Sequence, residues 1–124
     1  MYDEAPFAPQ YGPNSGSAAG SFVASVTVTA SNTLAVSAAL PGSQTGSNGF
    51  CQIQIANTTT AWAYVNFGRN TTEIVAATVA ASLPVKPGQT RTITVSSEVA
   101  AVSVILGAIP GTNTAVIFTR GSGT

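Results

Sequence analysis

Phe50-Cys51-Gln52-Ile53-Gln54-Ile55-Ala56 is the stretch on which the fold turns. Cys51, Ile53 and Ile55 point one way and Gln52 and Gln54 the other, the period-two alternation of a strand with one dry face and one wet face. Downstream, Asn57 and Thr58-Thr59-Thr60 make a short connection. Alternation resumes over Ala61–Phe67, where Ala63, Val65 and Phe67 oppose Trp62, Tyr64 and Asn66, and Gly68–Thr72 turns. Glu73–Ala81 leans towards a strand through Ile74, Val75, Thr78 and Val79, which lower helix propensity. In Leu83–Thr90, Pro87 fixes φ and Gly88 accepts a positive φ, the requirement of a type II turn. Arg91–Val95 then points Ile93 and Val95 inward and Thr92 and Thr94 outward. Val99–Leu106 aligns Val102, Val104 and Leu106 with Ser103 opposite, Pro110–Asn113 turns, Ala115–Thr119 is the last strand, and Gly121-Ser122-Gly123 reads as a loose end.

Upstream the same period holds. Phe22, Ala24, Val26 and Val28 share one face of Phe22–Thr29, and Ser25, Thr27 and Thr29 share the other. Ser31-Asn32 turns the chain into a second strand over Thr33–Leu40, and residues 41–49 (PGSQTGSNG) form a loop by composition. About eight short strands joined by turns, with no amphipathic helix, describe an all-β fold: an antiparallel β-sandwich or a closed barrel. Immunoglobulin-like and jelly-roll connectivities both fit, and eight strands favour the jelly-roll.

Lys and Arg number 4, Asp and Glu number 4, and there is no His. The zero net charge argues against a nucleic-acid partner, which demands a positive field to displace counterions. Without His, no His-based triad and no His/Cys metal cluster can be assembled within the chain, and the four acids show no glycosidase spacing. No enzyme activity and no cofactor are expected. Cys51 is the single cysteine, so an internal disulfide is impossible, and its place beside Ile53 and Ile55 marks a buried small residue. The first residues carry no basic, apolar secretory pattern, and no apolar run is long enough to span a membrane. Charged residues make up 6% of the chain, against roughly 25% in ordinary soluble domains. A surface this poor in charge has little repulsion to hold copies apart. It is either covered by partners or kept soluble by Ser, Thr, Asn and Gln.

Residues 1–21 stand apart from the domain at 22–124. Pro6, Pro9 and Pro13 exclude a regular helix or a central strand, yet Tyr2, Phe7 and Tyr11 are more aromatic than a disordered tail requires. The segment reads as an extended arm that docks its rings on a neighbouring surface, or as a frayed terminus.

The second half of the chain resembles the small head-decoration, or cement, proteins of tailed bacteriophages. The resemblance lies in CQIQIANTTTAWAYVNFG from Cys51, LPVKPGQTRTITV from Leu83 and AVSVILGAIPGTNTAVIFTRGSG from Ala101. The pattern is a strand, an Asn-led turn, an aromatic strand ending in Phe67-Gly68, a Pro-Gly hairpin, and a terminal strand ending in Thr-Arg-Gly-Ser-Gly. It implies a small β-sandwich, made in the host cytoplasm and bound to the outer surface of an icosahedral phage head. There it bridges subunits of the major capsid protein as a dimer or trimer and stabilises the shell. No catalytic residues accompany that role.

Candidate contact residues follow. On the arm they are Tyr2, Phe7 and Tyr11, with Asp3 and Glu4 set to meet a basic patch. On the domain they are Trp62 and Tyr64, a ring pair at i and i+2 that serves either the core or an interface. Arg69, Arg91 and Arg120 are sparse charges that are either solvated, locally paired or anchors to the shell. The main alternative is a carbohydrate-binding or adhesive sandwich of a tail fibre, spike or other virion part. In it Trp62 and Tyr64 stack on sugar rings while Gln52, Gln54, Asn66 and Asn70 supply hydrogen bonds.

Overall fold

The computed structural model describes residues 8–9, 25–41, 50–96 and 98–122. Its strands are β1 (Ala8–Pro9), β2 (Ser25–Thr29), β3 (Val36–Ala39), β4 (Phe50–Asn57), β5 (Ala63–Gly68), β6 (Leu83–Val85), β7 (Thr90–Ser96), β8 (Ala101–Leu106) and β9 (Ala115–Ser122). Every pairing is antiparallel. One sheet runs β2-β9-β4-β7, with β1 continuing the β2 edge along the end of β9, and the other runs β3-β8-β5-β6. From β2 to β9 every connection except β5–β6 crosses from one sheet to the other, which is the connectivity of a jelly-roll.

Alternation decides which face each sheet buries. In the first sheet Val26, Phe118 and Ile55 share one inner row, and Arg120, Ile53 and Ile93 share the next. In the second sheet Val36, Val104, Val65 and Leu83 form a facing row. Ile53, Ile55, Val104 and Phe118 have no solvent exposure. Each such side chain stabilises the fold by about 1.5–3 kcal/mol over its exposed state.

Asn57 closes one end of this core. Its buried amide donates to the carbonyls of Ala61 (2.9 Å), Val85 (3.1 Å) and Lys86 (3.1 Å). Its Oδ1 accepts from the backbone N–H (3.0 Å) and hydroxyl (2.7 Å) of Thr59. One side chain thereby ties the β4–β5 crossing to the β6–β7 crossing.

Pro87-Gly88 forms the expected turn: Gln89 N–H donates to Lys86 O at 3.1 Å and Gly88 has φ 74°. The turn is not a hairpin, because β6 pairs with β5 in one sheet and β7 with β4 in the other. Gly88 N–H instead donates to Asn57 O (2.9 Å) and Asn57 N–H to Gln89 O (3.0 Å), a glycine bulge that turns the chain between sheets.

Two further expectations are corrected. Gly121 and Ser122 are not a loose end: Gly121 sits between Gln52 and Pro9, and Ser122 pairs with Ala8, so β9 runs three residues beyond Thr119. Glu73–Ala81 is not a strand but part of a cover over the outer face of the second sheet. Asn66 Nδ2 donates to Val75 O (3.2 Å), and Ala77 N–H donates to Ser103 Oγ (3.0 Å). Ser103, expected on an outward face, is buried beneath this cover. Of the segment 1–21 only Ala8–Pro9 is described; Phe22–Ala24 and residues 42–49 also lie outside the described residues.

Replacing Asn57 by Ala removes five hydrogen bonds made by one buried amide; Ala61 O keeps the Thr59 hydroxyl and Lys86 O keeps Gln89 N–H, while Val85 O and Thr59 N–H lose the Asn57 partner. We predict a loss of about 3 kcal/mol in urea unfolding, against under about 1 kcal/mol for Asn113→Ala on the exposed β8–β9 loop. Equal losses for the two variants would contradict this role.

Candidate interaction surface

Four of the six sheet-crossing connections, β2–β3, β4–β5, β6–β7 and β8–β9, gather at one end of the sandwich, and hydrogen bonds lace three of them together. Leu106 N–H donates to Ser31 O and Gly107 N–H to Trp62 O, both at 2.9 Å. Gly111 N–H donates to Thr60 Oγ1 at 3.0 Å, and Thr58 Oγ1 donates to Ala115 O at 2.6 Å. With polar groups spent on one another, the laced loops leave apolar side chains outermost: Leu34 at 74%, Trp62 at 43% and Ile109 at 81% exposure. Tyr64, half-buried on the outer face of β5, lies against Gly107, where an added Cβ would sit 3.0 Å from its ring. Trp62 and Tyr64 are therefore outside the core, both partly covered and Tyr64 the more so.

The cover over the second sheet adds Val75 and Val79 to the exposed apolar surface. Asn70 starts this segment: its Oδ1 accepts from Thr72 N–H (2.9 Å) and Glu73 N–H (2.7 Å). Ile74 holds it close to β5, because an added Cβ on Gly68 would lie 2.8 Å from Ile74 Cβ. The alternation argument places Leu34, Val75 and Val79 in strands and leaves Ile109 unassigned, so none of the four is read as exposed surface. For Leu34 and Ile109 a usable signal existed, a large apolar residue inside a turn: Asn32-Thr33-Leu34 and Ile109-Pro110-Gly111.

The arginines do not act alike. Arg69 forms an exposed ion pair with Glu98 at 2.7 Å. Such a pair contributes about 0–1 kcal/mol and leaves little charge to offer a partner. Arg91 lies on the inner-face row of the edge strand β7 and donates from Nη1 to Pro84 O at 3.0 Å, joining the two sheet edges. Arg120, expected among the surface charges, is fully buried. It projects from the inner face of β9 at the end of the core opposite Asn57, donating to Pro41 O (3.2 Å), Cys51 Sγ (3.3 Å) and Val99 O. It ties together the β3–β4 and β7–β8 connections and is not available as an anchor. Tyr2, Asp3, Glu4, Phe7 and Tyr11 lie outside the described residues.

The polar side chains grouped with Trp62 and Tyr64 for sugar binding do not converge. Gln52 and Gln54 face outward from the first sheet, on the opposite side of the sandwich, and the amides of Asn66 and Asn70 are committed to Val75 O and to the Glu73 carboxylate. Among the described residues no three His, Cys, Asp or Glu side chains group as metal ligands. No protein-family model matches the chain, and neither a curated protein nor a solved structure shows significant similarity to it.

Gly68→Ala forces the cover away from β5. We predict a loss of about 1–3 kcal/mol and faster proteolytic cleavage within residues 69–82. A variant as stable and as protease-resistant as the parent would show that the cover does not depend on this close approach.

Proposed function

We propose that the chain is a virion structural protein: a decoration, or cement, protein that binds the outside of an icosahedral phage head and stabilises the lattice of the major capsid protein. The observation that carries the reading is the laced end of the sandwich, where Leu34, Trp62 and Ile109 stand exposed on a chain with only eight charged residues. A rigid apolar end of this kind loses little conformational freedom on docking and gains by covering it. The exposed Arg69 and Glu98 satisfy each other, so they do not keep neighbours away. The jelly-roll agrees with the reading but does not carry it, because that architecture also serves lectins and cupins.

In this reading the protein acts by mass action. It binds the assembled shell and not dispersed subunits, so its binding free energy adds to the stability of the shell. Copies that act as a homo-oligomer hold several lattice points at once, and each contact is individually modest. The arm at 1–21 adds to this attachment through Tyr2, Phe7 and Tyr11, with Asp3 and Glu4 meeting basic groups of the shell. Its Ala8–Pro9 step, paired to the end of β9, sets where the arm leaves the domain.

The exposure of Trp62 favours a second reading, an adhesive sandwich that stacks this ring on sugars. The committed amides of Asn66 and Asn70 and the distant Gln52 and Gln54 weigh against it.

The test is to add purified protein to expanded, undecorated phage heads and count bound copies. The double variant Trp62→Ala, Ile109→Asp is expected to bind at least about tenfold more weakly, as loss of central apolar anchors does, with an unchanged thermal midpoint. Heads that take up neither protein, or both equally, would sink the proposal. A glycan-array signal abolished by Trp62→Ala would support the adhesive reading in its place.

A further inference from the structure

Among the described residues, the outer edge of β7 is the longest strand edge without a partner. The other edges are shorter: β6 has three residues and contains Pro84, β3 has four, β2 at the opposite edge of the same sheet has five, and β1 contains Pro9. Proteins usually blunt a long edge with Pro, Lys, a bulge or an inward charge that keeps other strands away. Thr90-Arg91-Thr92-Ile93-Thr94-Val95-Ser96 has no Pro and no Lys. The glycine bulge at Gly88–Gln89 lies before the strand, and the one inward-facing charge, Arg91, sits near its start and is held across to Pro84 O, so Thr92–Ser96 carries neither device.

The phase of the ladder shows what this edge offers. Asn57 N–H donates to Gln89 O, so the alternation that begins there turns the N–H and C=O of Arg91, Ile93 and Val95 towards β4. The same groups of Thr90, Thr92, Thr94 and Ser96 face away. Of these, Ser96 O accepts from Val99 N–H at 3.0 Å. Both groups of Thr92 and Thr94 remain for an incoming strand.

The sequence of the edge is complementary to itself. An antiparallel pairing centred on Ile93 sets Thr92 against Thr94, Ile93 against Ile93 and Arg91 against Val95. No like charges meet, the two threonine pairs occupy the outward face, and Thr92 and Thr94 are the residues whose backbone groups point outward. The geometry points to a second copy of this chain as the occupant: its β7 adds antiparallel to this β7 about a two-fold axis, so that the β2-β9-β4-β7 sheet runs on into its copy. This deepens the homo-oligomer part of the proposed function and rests on that part alone.

Light scattering on the full chain tests it. The expected mass is twice 12.4 kDa. Thr94→Pro removes an outward N–H without touching the bonds to β4, so it is expected to keep the β circular-dichroism spectrum and to reduce the mass to that of one chain. Should that variant fail to fold, a mixture of Thr92→Cys and Thr94→Cys proteins decides: under mild oxidation the mixture forms disulfide dimers that neither variant forms alone. A monomeric or trimeric parent, a dimer that survives Thr94→Pro, or a cysteine mixture that behaves like its components would overturn the inference. A dimer that tolerates Thr94→Pro but is lost on deleting residues 2–7 would overturn it in favour of arm exchange. A β7 dimer that ignores phage heads would remove the cement reading and leave this inference standing. Heads decorated by a monomer would do the reverse.

Discussion

A buried side-chain amide must find partners within the protein, and Asn57 finds five. They lie in the β4–β5 connection and in the β6–β7 connection, which are far apart in sequence and join the same two sheets. Through its backbone the same residue meets both Gly88 and Gln89 and so fixes where the bulge falls. The phase of β7, and with it the direction in which every β7 amide points, follows from that contact. At the other end of the core Arg120 does corresponding work with carbonyls at Pro41 and Val99. The apolar rows between these two closures are ordinary sandwich packing; the closures keep the sheets from sliding along each other.

The surface follows from how completely polar groups are spent inside and at the ends. Asn66 and Ser103 hold the cover down, Asn70 starts it, and Thr58 and Thr60 lace the loops. These residues would otherwise have kept a nearly uncharged chain hydrated. What remains outward at the laced end is Leu34, Trp62 and Ile109, and on the cover Val75 and Val79. An isolated monomer gains nothing from displaying large apolar groups on a rigid, weakly charged frame, whereas a subunit of a larger assembly buries them.

Much of the fold was legible locally. The alternation of Cys51, Ile53 and Ile55 named the inner face of β4, and Pro87-Gly88 named its turn, because both signals are set by neighbours in sequence. The partners were not legible. A Pro-Gly turn suits a hairpin as well as a corner, and the choice here depends on Asn57, thirty positions upstream. Glu73–Ala81 carries β-branched residues, but its fate was decided by the hydroxyl of Ser103 and the closeness of Gly68. Arg120 contradicted the rule that arginines face water. Its alternation with Val116 and Phe118 was visible, but the three acceptors that make burial tolerable come from other strands and loops. At the candidate surface the exposed ring of Trp62 stood out in sequence. Leu34, read with Val36 as one face of a strand that in fact begins at Val36, and Ile109, lacking a period, did not.

The central claim is that this surface exists to be covered by a capsid lattice. Counting copies per head in a cryo-EM map of the virion tests it most directly. The account predicts a copy number comparable to that of the major capsid protein, with the Leu34–Trp62–Ile109 end seated against the shell. On the order of a dozen copies, as a part confined to a vertex or tail would show, or an end facing solvent in every copy, would contradict it.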